Sequence, residues 1–364
     1  MAYSHIGKVL NNGIVDTGEV LINPEDLTVF PEDDGCQIDE FSKGDFEWWY
    51  FDINEQTSDC ILKIILHVGT NPLRTRVNSH LAVTVTTREK SESILFPFSI
   101  KEMKADTQKC NITVSDKILI RAESDAPPLY IVKINIPGFK CNFSFRSEIE
   151  GWKPFGKSVQ FQTGRKKVDF SWVIPVPLAT VDGDFSFRGR KYELAGAKGY
   201  HDHNYIKPDR KHPLYMDDLV TKWYWGKCYA GGYTVIFGDV RCRANRILPL
   251  MIAENNKIIH SSNNLIDCSV LSFGYDSFIK TEYATSIQLK SIDNNFPFLL
   301  KFECEKILDH RDLLEGINPL VRFLIKRVVA RPAYHGVLAR VGVAMNNINV
   351  EGFGNYESMV FRSK

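Results

Sequence analysis

The chain has 364 residues, is 44% hydrophobic and 24% charged, and carries a formal net charge of +1 at pH 7. This length suits one large or two ordinary domains, because single cores tend to split above roughly 250–300 residues. The near-neutral charge gives no bias toward nucleic acid. No run of roughly 18 apolar residues is present to form a transmembrane segment, although peripheral contact with lipid stays open.

The N-terminus and the cysteines predict a cytoplasmic protein. Residues 1–8 show no basic stretch leading into an apolar one, so no signal peptide is expected. The eight cysteines are spread singly along the chain, without a Cys-x-x-Cys pair. This spacing is typical of reduced, mostly buried thiols rather than of a zinc ribbon or a thioredoxin-type site.

The first half of the chain predicts a β-rich unit behind a turn-rich leader. We expect residues 1–44 to be loosely ordered and to pack on a domain. The aromatic run 46–53 predicts a strand that is buried on both faces. Further β-type segments follow at 61–68, 80–87, 94–100, 111–114, 118–122, 129–136, 141–145, 170–177 and 185–194. Strands at this spacing predict an antiparallel barrel or sandwich rather than βαβ units.

The second half repeats this organisation. Trp223-Tyr224-Trp225 and the apolar segment 233–240 repeat the earlier order of aromatic cluster, turn and strand, which indicates two related β-units in tandem. Apolar residues at helical spacing predict one helix over 313–329, ended by Arg331-Pro332. Further strands are predicted at 247–253, 257–260, 286–292, 298–305, 337–345 and 356–361. We therefore predict an all-β protein with one C-terminal helix and two domains, 1–208 and 209–364.

A short segment near the middle of the chain concentrates polar chemistry. On a strand, His201, His203 and Tyr205 share one face, while Asp202 and Asn204 share the other. The functional interpretation is proton transfer by His and Asp. The alternative is a buried polar network that ties two domains together. A metal site is not expected, because His-x-His supplies two ligands without a clear third nearby.

The aromatic motif Glu47-Trp48-Trp49-Tyr50-Phe51-Asp52 is open to two interpretations. Trp48, Tyr50 and Asp52 share one strand face, and Glu47, Trp49 and Phe51 share the other. Burying a carboxylate is unfavourable unless it is paired, which argues against a plain core. An aromatic pocket can instead raise the pKa of a carboxyl group and hold a cation against ring faces.

Two more carboxylates, Asp239 and Glu357, follow apolar segments and fit either a turn residue or an inward carboxylate. The sequence lacks Gly-x-x-x-x-Gly-Lys-Ser/Thr, a strand-linked Gly-x-Gly-x-x-Gly and Gly-x-Ser-x-Gly. Phosphate loops and esterase elbows therefore have no support, and no organic cofactor or metal is expected.

Taken together, these motifs resemble the carotenoid 1,2-hydratase (hydroxyneurosporene synthase, CrtC) and AttH superfamily, which includes the fungal decalin-forming Diels–Alderases. The resemblance runs from about residue 44 to the C-terminus and rests on four motifs in order: 47–52, 199–205, 223–226 and 352–357. It implies two lipocalin-like β-domains in tandem, with an apolar ligand pocket within or between them.

The resemblance also implies site residues. In the hydratases a carboxylate protonates an isolated alkene, aromatic rings hold the carbocation, and water adds. His203 matches the motif histidine, Tyr205 the following aromatic, and Phe237 and Asp239 an aromatic-x-Asp pair. The predicted catalytic residues are Asp239, His203, His201 and Asp202. The predicted substrate-binding residues are Glu47, Trp48, Trp49, Tyr50, Asn204, Tyr205, Trp223, Trp225, Phe237 and Glu357.

The first hypothesis is an enzyme that hydrates or cyclises an apolar polyene, terpenoid or polyketide-like substrate by protonating it. Asp239 or another pocket carboxylate would be the acid, and His201 and His203 would orient that acid or water. A second hypothesis is a pericyclase, which needs orientation of the substrate more than proton transfer. A third is a lipocalin-like carrier of a hydrophobic small molecule that catalyses nothing.

Overall fold

The computed structural model describes most of the chain and divides it into two units. The residues described are 4–10, 14–22, 27–38, 40–55, 60–70, 77–87, 89–156, 158–215, 219–242, 246–263, 265–314, 332–345 and 347–361. The N-terminal unit contains Pro24–Phe161 and Arg165–Pro213; the C-terminal unit contains Met1–Asn23, Gln162–Gly164 and Leu214–Lys364. The sequence predicted a single boundary between the two domains, after residue 208.

The N-terminal unit is built on one curled antiparallel sheet. Its strands are β3 (Phe46–Glu55), β4 (Cys60–Thr70), β5 (Val77–Thr86), β6 (Ser91–Phe98), β7 (Met103–Ala105), β8 (Asn111–Val114), β9 (Ile118–Asp125), β10 (Pro128–Ile136), β11 (Phe139–Ser147), β12 (Val159–Thr163), β13 (Lys166–Phe187) and β14 (Arg190–Pro208). The strand order is β6-β5-β4-β3-β14-β13-β11-β10-β9-β8-β7, and β12 pairs with β13.

The C-terminal unit has a second antiparallel sheet of the same kind. Its strands are β15 (Val220–Ala230), β16 (Tyr233–Cys242), β17 (Arg246–Ile247), β18 (Pro249–Glu254), β19 (Lys257–Asn263), β20 (Ile266–Asp276), β21 (Thr281–Ser291), β22 (Phe298–Asp312), β23 (Ala333–Met345) and β24 (Ile348–Val360). The order is β19-β18-β16-β15-β24-β23-β22-β21-β20, and β17 pairs with β16.

The two sheet orders correspond around their aromatic strands, which confirms the predicted tandem repeat. In each, the aromatic strand (β3 or β15) pairs on one side with the next strand along the chain, β4 or β16. On its other side it pairs with the last strand of the sheet, β14 or β24. Two motifs therefore lie in the middle of their sheets. Motif 199–205 on β14 is next to the aromatic motif 47–52 on β3, and motif 352–357 on β24 is next to the aromatic motif 223–226 on β15.

Alternation along the strands separates a core face from an opposite face. β11 alternates buried and exposed side chains along its length, whereas β3 and β15 are buried or partly buried on both faces. Each unit has an apolar cluster of buried residues, which includes Trp49, Phe51 and Phe145 in the N-terminal unit and Phe237 and Tyr356 in the C-terminal unit. We call the face that points into this cluster the inner face and the opposite face the outer face.

Glycines in the closing motif 352–357 serve close strand packing. A Cβ atom added at Gly352 would lie 2.1 Å from the Tyr229 carbonyl oxygen, and one at Gly354 would lie 2.3 Å from the Lys227 carbonyl oxygen. β24 could not approach β15 this closely with any larger residue.

Two sequence predictions need separate mention. The leader was expected to be loosely ordered, but it contains a β-hairpin of β1 (Ser4–Leu10) and β2 (Ile14–Ile22) and a 3-10 turn at Pro31–Asp34. β2 is rich in β-branched residues, which favour strands. The predicted helix 313–329 lies outside the described residues, apart from its first two positions. Within the described part of the chain, no helix is long and apolar enough to cross a membrane.

Candidate active site

Strands β3 and β14 pair the aromatic motif with the central motif residue by residue. The inner-face pairs are His201 with Phe51, His203 with Trp49, and Tyr205 with Glu47; the outer-face pairs are Tyr200 with Asp52, Asp202 with Tyr50, and Asn204 with Trp48. The predicted alternation is confirmed. The predicted site residues of this unit therefore fall into two separate groups.

His203 on the inner face lies between two acceptors. Its Nε2 atom is 2.9 Å from Oε1 of Glu47, its Nδ1 atom is 3.1 Å from the Asp33 carbonyl oxygen, and its ring stacks on Trp49 at 4.6 Å. Burial alone would lower the pKa of His203. The hydrogen bond and charge of Glu47, together with Asp34, nevertheless raise this pKa above its usual value. His203 is therefore held as an imidazolium that donates from both nitrogens.

Glu47 is fully buried and accepts hydrogen bonds from several donors besides His203. Its Oε1 atom accepts from the Gln37 backbone N–H at 2.7 Å, and Oε2 accepts from the Ile38 backbone N–H at 3.2 Å and the Cys36 thiol at 3.4 Å. Donors to both oxygens stabilise the ionised carboxylate. The pair thus fastens residues 36–38 to the centre of the sheet.

His201 makes a second buried contact with the same leader segment. Nδ1 lies 2.9 Å from the Tyr50 carbonyl oxygen, so it carries a proton, while Nε2 lies 3.1 Å from Oδ2 of Asp34. Asp34 Oδ2 also accepts from the Tyr130 hydroxyl at 2.6 Å, and the His201 ring stacks on Phe51 at 3.9 Å. His201 therefore links β3 to the leader segment through both of its ring nitrogens.

One group among the described residues has the donor atoms to hold a metal ion. It consists of Asp34, Cys110 and His201, and their ligand atoms all lie within 4.8 Å of one another. Burial, followed by the charge of Asp34, raises the pKa of the Cys110 thiol well above its usual value. The thiol therefore keeps its proton, and Asp34 and His201 already bond each other. Asp34 Oδ2 is thus engaged by His201 and Tyr130, while its Oδ1 atom is buried without a hydrogen-bond partner.

On the outer face, Asp202 is buried among aromatic groups. Its Oδ2 atom accepts from the Tyr200 hydroxyl at 2.7 Å and from the Trp172 indole N–H at 3.2 Å, and Oδ1 accepts from the Asn204 amide at 2.8 Å. Burial, with the charge of Asp202, raises the pKa of Tyr200 well above its usual range. The phenol therefore stays protonated and donates to the Asp202 carboxyl group.

The same outer face continues across neighbouring strands with further aromatic and charged groups. The Tyr50 hydroxyl donates to Asp52 at 3.0 Å, and the Tyr50 and Tyr200 rings meet edge to face at 6.0 Å. Asp52 lies directly opposite Lys63 on β4, and both side chains are buried. Trp48 is partly buried beside this group. The outer face thus combines broad ring surfaces with two buried carboxylates.

The C-terminal unit places Trp223, Trp225 and Glu357 on its own outer face. Trp225 lies directly opposite Glu357 across β15 and β24, and Trp223 is two residues before Trp225. Glu357 accepts a hydrogen bond from the Tyr334 hydroxyl at 2.7 Å. Burial, with the charge of Glu357, raises the pKa of Tyr334 well above its usual value. A phenol that donates to a carboxylate next to indole rings therefore occurs on both outer faces.

Phe237 and Asp239 lie on the inner face of the C-terminal unit. Phe237 packs on Phe302 at 5.2 Å in the core. Asp239 is fully buried, accepts from Arg241 at 2.8 Å, and accepts from Arg246 at 2.6 Å. Two guanidinium groups stabilise the ionised carboxylate, which is the form that cannot donate a proton. Asp239 belongs to the C-terminal unit, whereas His201, Asp202 and His203 belong to the N-terminal unit.

This arrangement predicts that Asp239→Asn mainly affects stability. The change leaves Arg241 and Arg246 facing an uncharged buried amide, which should cost about 2–3 kcal/mol because both arginines keep some solvent contact. We expect the thermal transition of the C-terminal unit to fall by about 4–10 °C in calorimetry. Asp267→Asn, at an exposed position on β20, is the control and should leave the transition in place. An unchanged transition in Asp239→Asn would contradict a structural role.

Sequence reasoning missed Asp34, Tyr130, Trp172 and Tyr200. Tyr200 could have been found, because it lies two residues before Asp202 and so shares its strand face. Asp34 could not, because it approaches His201 from 167 residues away along the chain. Tyr130 and Trp172 lie on strands that carry no distinctive motif.

A surface groove of about 440 Å³ lies elsewhere on the N-terminal unit. Its walls include Asp116, Lys117, Lys133, Lys140 and Asn142, and none of the predicted site residues lines it. Apolar residues, among them Ile118, Leu119 and Ile134, also line it.

Comparison with known proteins shows the fold. No protein-family model and no curated protein sequence matches the chain. Solved structures do match. CghA in complex with Sch210972 aligns with a TM-score of 0.64 at 11% identity, over 94% of this chain and 98% of that one.

Two further structures agree. An AttH-like protein from Nitrosomonas europaea aligns with a TM-score of 0.62 at 12% identity, over 96% of this chain and 99% of that one. Kievitone hydratase from Nectria haematococca gives a TM-score of 0.55 at 12% identity, over 99% of this chain and 98% of that one. The predicted fold, two lipocalin-like β-units in tandem, is confirmed.

Proposed function

We propose that this protein is an enzyme that cyclises an apolar polyene, terpenoid or polyketide-like substrate held against the outer face of its N-terminal unit. The observation that carries the proposal is the Asp202 carboxylate, buried among the rings of Tyr50, Trp172 and Tyr200 on the face opposite the core. The similar folds of a hydratase and of CghA bound to Sch210972 support an enzyme of this general kind.

The packing of the inner face argues for the outer face. Trp49, Phe51 and Phe145 are fully buried and belong to one continuous apolar cluster. His201 and His203 face this cluster with both ring nitrogens already hydrogen-bonded. A substrate could reach these nitrogens only by breaking the network, so their role is to position β3 and β14 against residues 33–38.

The hydrogen bonds at Asp202 favour orientation over proton donation. Three donors stabilise the carboxylate anion, whereas protonating an unactivated alkene needs a carboxylic acid. An anion beside ring faces stabilises positive charge that develops on a polyene, and the rings hold the chain in a reactive conformation. Water is kept from the reacting carbons by the same apolar surface.

The test is turnover in deuterated water. The protein would be incubated with metabolite extracts in D₂O, and products would be compared by mass spectrometry with a boiled control. We expect an isomer of a polyene substrate that carries no new carbon-bound deuterium. New carbon-bound deuterium would overturn the orientation mechanism in favour of proton-initiated hydration or cyclisation. Ligands that co-purify unchanged would overturn the enzyme proposal and leave a carrier.

A further inference from the structure

One hairpin of the C-terminal unit exposes an unusual amount of apolar surface. β20 and the turn that follows it expose Leu271 by 50%, Phe273 by 53%, Tyr275 by 62% and Phe278 by 80%. β20 is the last strand in its sheet order. We call the hairpin that carries these four side chains the aromatic hairpin. Contiguous apolar surface of this kind on a folded protein marks an interaction site more often than chance exposure.

The tip of the aromatic hairpin is held rigidly. Asp276 Oδ1 accepts from the Phe278 backbone N–H at 2.8 Å, and Asp276 Oδ2 lies 2.6 Å from Nδ1 of His310. The Phe278 ring then stacks on the His310 ring at 4.9 Å, with an interplanar angle of 5°. The most exposed aromatic ring of the hairpin is thus presented to solvent by a fixed set of contacts rather than by a loose loop.

Positive charge accompanies the apolar surface. Lys280 is exposed two residues after Phe278, and Lys222 Nζ lies 5.9 Å from the centre of the Phe273 ring. Acidic groups on the same strand pair are Glu282, opposite Tyr275, and Asp267, opposite Lys290.

Two histidines also lie beside the hairpin. His310 and His335, near the ends of β22 and β23, both approach Asp276, at 2.6 Å and 3.3 Å. Basic charge next to exposed aromatic rings is the combination that suits anionic lipid headgroups above an acyl layer.

We propose that the aromatic hairpin docks the protein on a lipid surface. Phe278, Tyr275 and Phe273 would enter the interface, where aromatic side chains are favoured, and Lys280 and Lys222 would meet lipid phosphates. The inference rests on the proposed function for its purpose, because an apolar polyene partitions into lipid and must be taken from there. Lipid binding itself is measured without any turnover.

The experiment is co-sedimentation of the full chain with phosphatidylcholine vesicles, with and without phosphatidylserine. We expect wild type to bind, more tightly when phosphatidylserine is present, and Phe273→Ser/Phe278→Ser to bind at least ~10-fold more weakly. Leu95→Ser is the matched control, because Leu95 is 62% exposed but lies in the N-terminal unit. It should bind like wild type. Phe278→Trp should show a blue-shifted emission that brominated lipids quench.

Several results would overturn the docking proposal. These are no sedimentation of wild type, equal weakening by Leu95→Ser, or fluorescence of the Phe278→Trp variant that lipid leaves unchanged. Self-association that Phe278→Ser abolishes, without lipid binding, would identify a second copy of this chain as the occupant. Turnover of substrate delivered in cyclodextrin separates the two proposals. Intact turnover without vesicle binding overturns docking alone, and vesicle binding without turnover overturns the enzyme alone.

Discussion

Glu47→Gln should both destabilise the N-terminal unit and reverse the pH dependence that His203 gives it. The substitution keeps the shape of the side chain but removes a charge that is fully buried beside an imidazolium. Breaking a buried pair in this way should cost about 3–5 kcal/mol of unfolding free energy near neutral pH. The measurement is chemical denaturation from about pH 5 to about pH 9, a range that includes the interval in which histidine usually titrates.

The sign of the pH dependence follows from the raised pKa of His203. In wild type the folded pKa exceeds the unfolded value of about 6.5, so the stabilisation is complete below about pH 6.5. It is lost as the pH rises through the folded pKa. Without the Glu47 charge, burial dominates and lowers the pKa of His203. The variant should therefore lose stability as the pH falls below about 6.5.

Glu357→Gln is the matched control, because this carboxylate accepts from a phenol, Tyr334, in the other unit. It should lower stability by about 1 kcal/mol and leave the pH slope of the N-terminal unit unchanged. An NMR titration of the His203 imidazole nitrogens checks the assignment directly. Parallel pH curves for wild type and Glu47→Gln would contradict the proposed ion pair.

The sequence predicted the site's strands and their alternation but not which face is the core. Strand period alone places His201 and His203 together and Asp202 opposite them, and the structure agrees. Choosing the inner face was not possible from the sequence, because adjacent Trp48 and Trp49 make both faces equally apolar. The choice is decided by residues 33–38, whose backbone and carboxylates bond the two imidazoles.

The role of Asp239 shows a second limit of prediction from sequence. Its position after the apolar segment 233–238 suits either a catalytic acid or a structural anion, and the family resemblance favoured the acid. Arg241, two residues later on the same strand face, was a visible signal for the structural interpretation. Arg246 was not, because it reaches Asp239 only after the chain turns back through β17.

Asp202→Asn should abolish most of the turnover while leaving the fold in place. Asparagine keeps an oxygen that accepts from Tyr200 and Trp172, and rotation of the Asn204 amide lets its oxygen accept from the new N–H₂ group, so the outer face retains its shape. It removes the anion that we propose stabilises developing positive charge. Losing one such preorganised electrostatic contact typically lowers kcat by about 10²–10³-fold. KM should change little, because ring surfaces supply most of the binding.

The matched comparison is Asp239→Asn, which also removes one buried carboxylate but on the inner face of the other unit. Assayed well below its lowered thermal transition, it should keep the wild-type kcat per folded molecule. Near-UV circular dichroism would confirm that Asp202→Asn retains its aromatic packing. If Asp202→Asn turned over like wild type while Asp239→Asn lost activity, the reaction would belong to the inner face and to the carboxylate that the family resemblance first indicated.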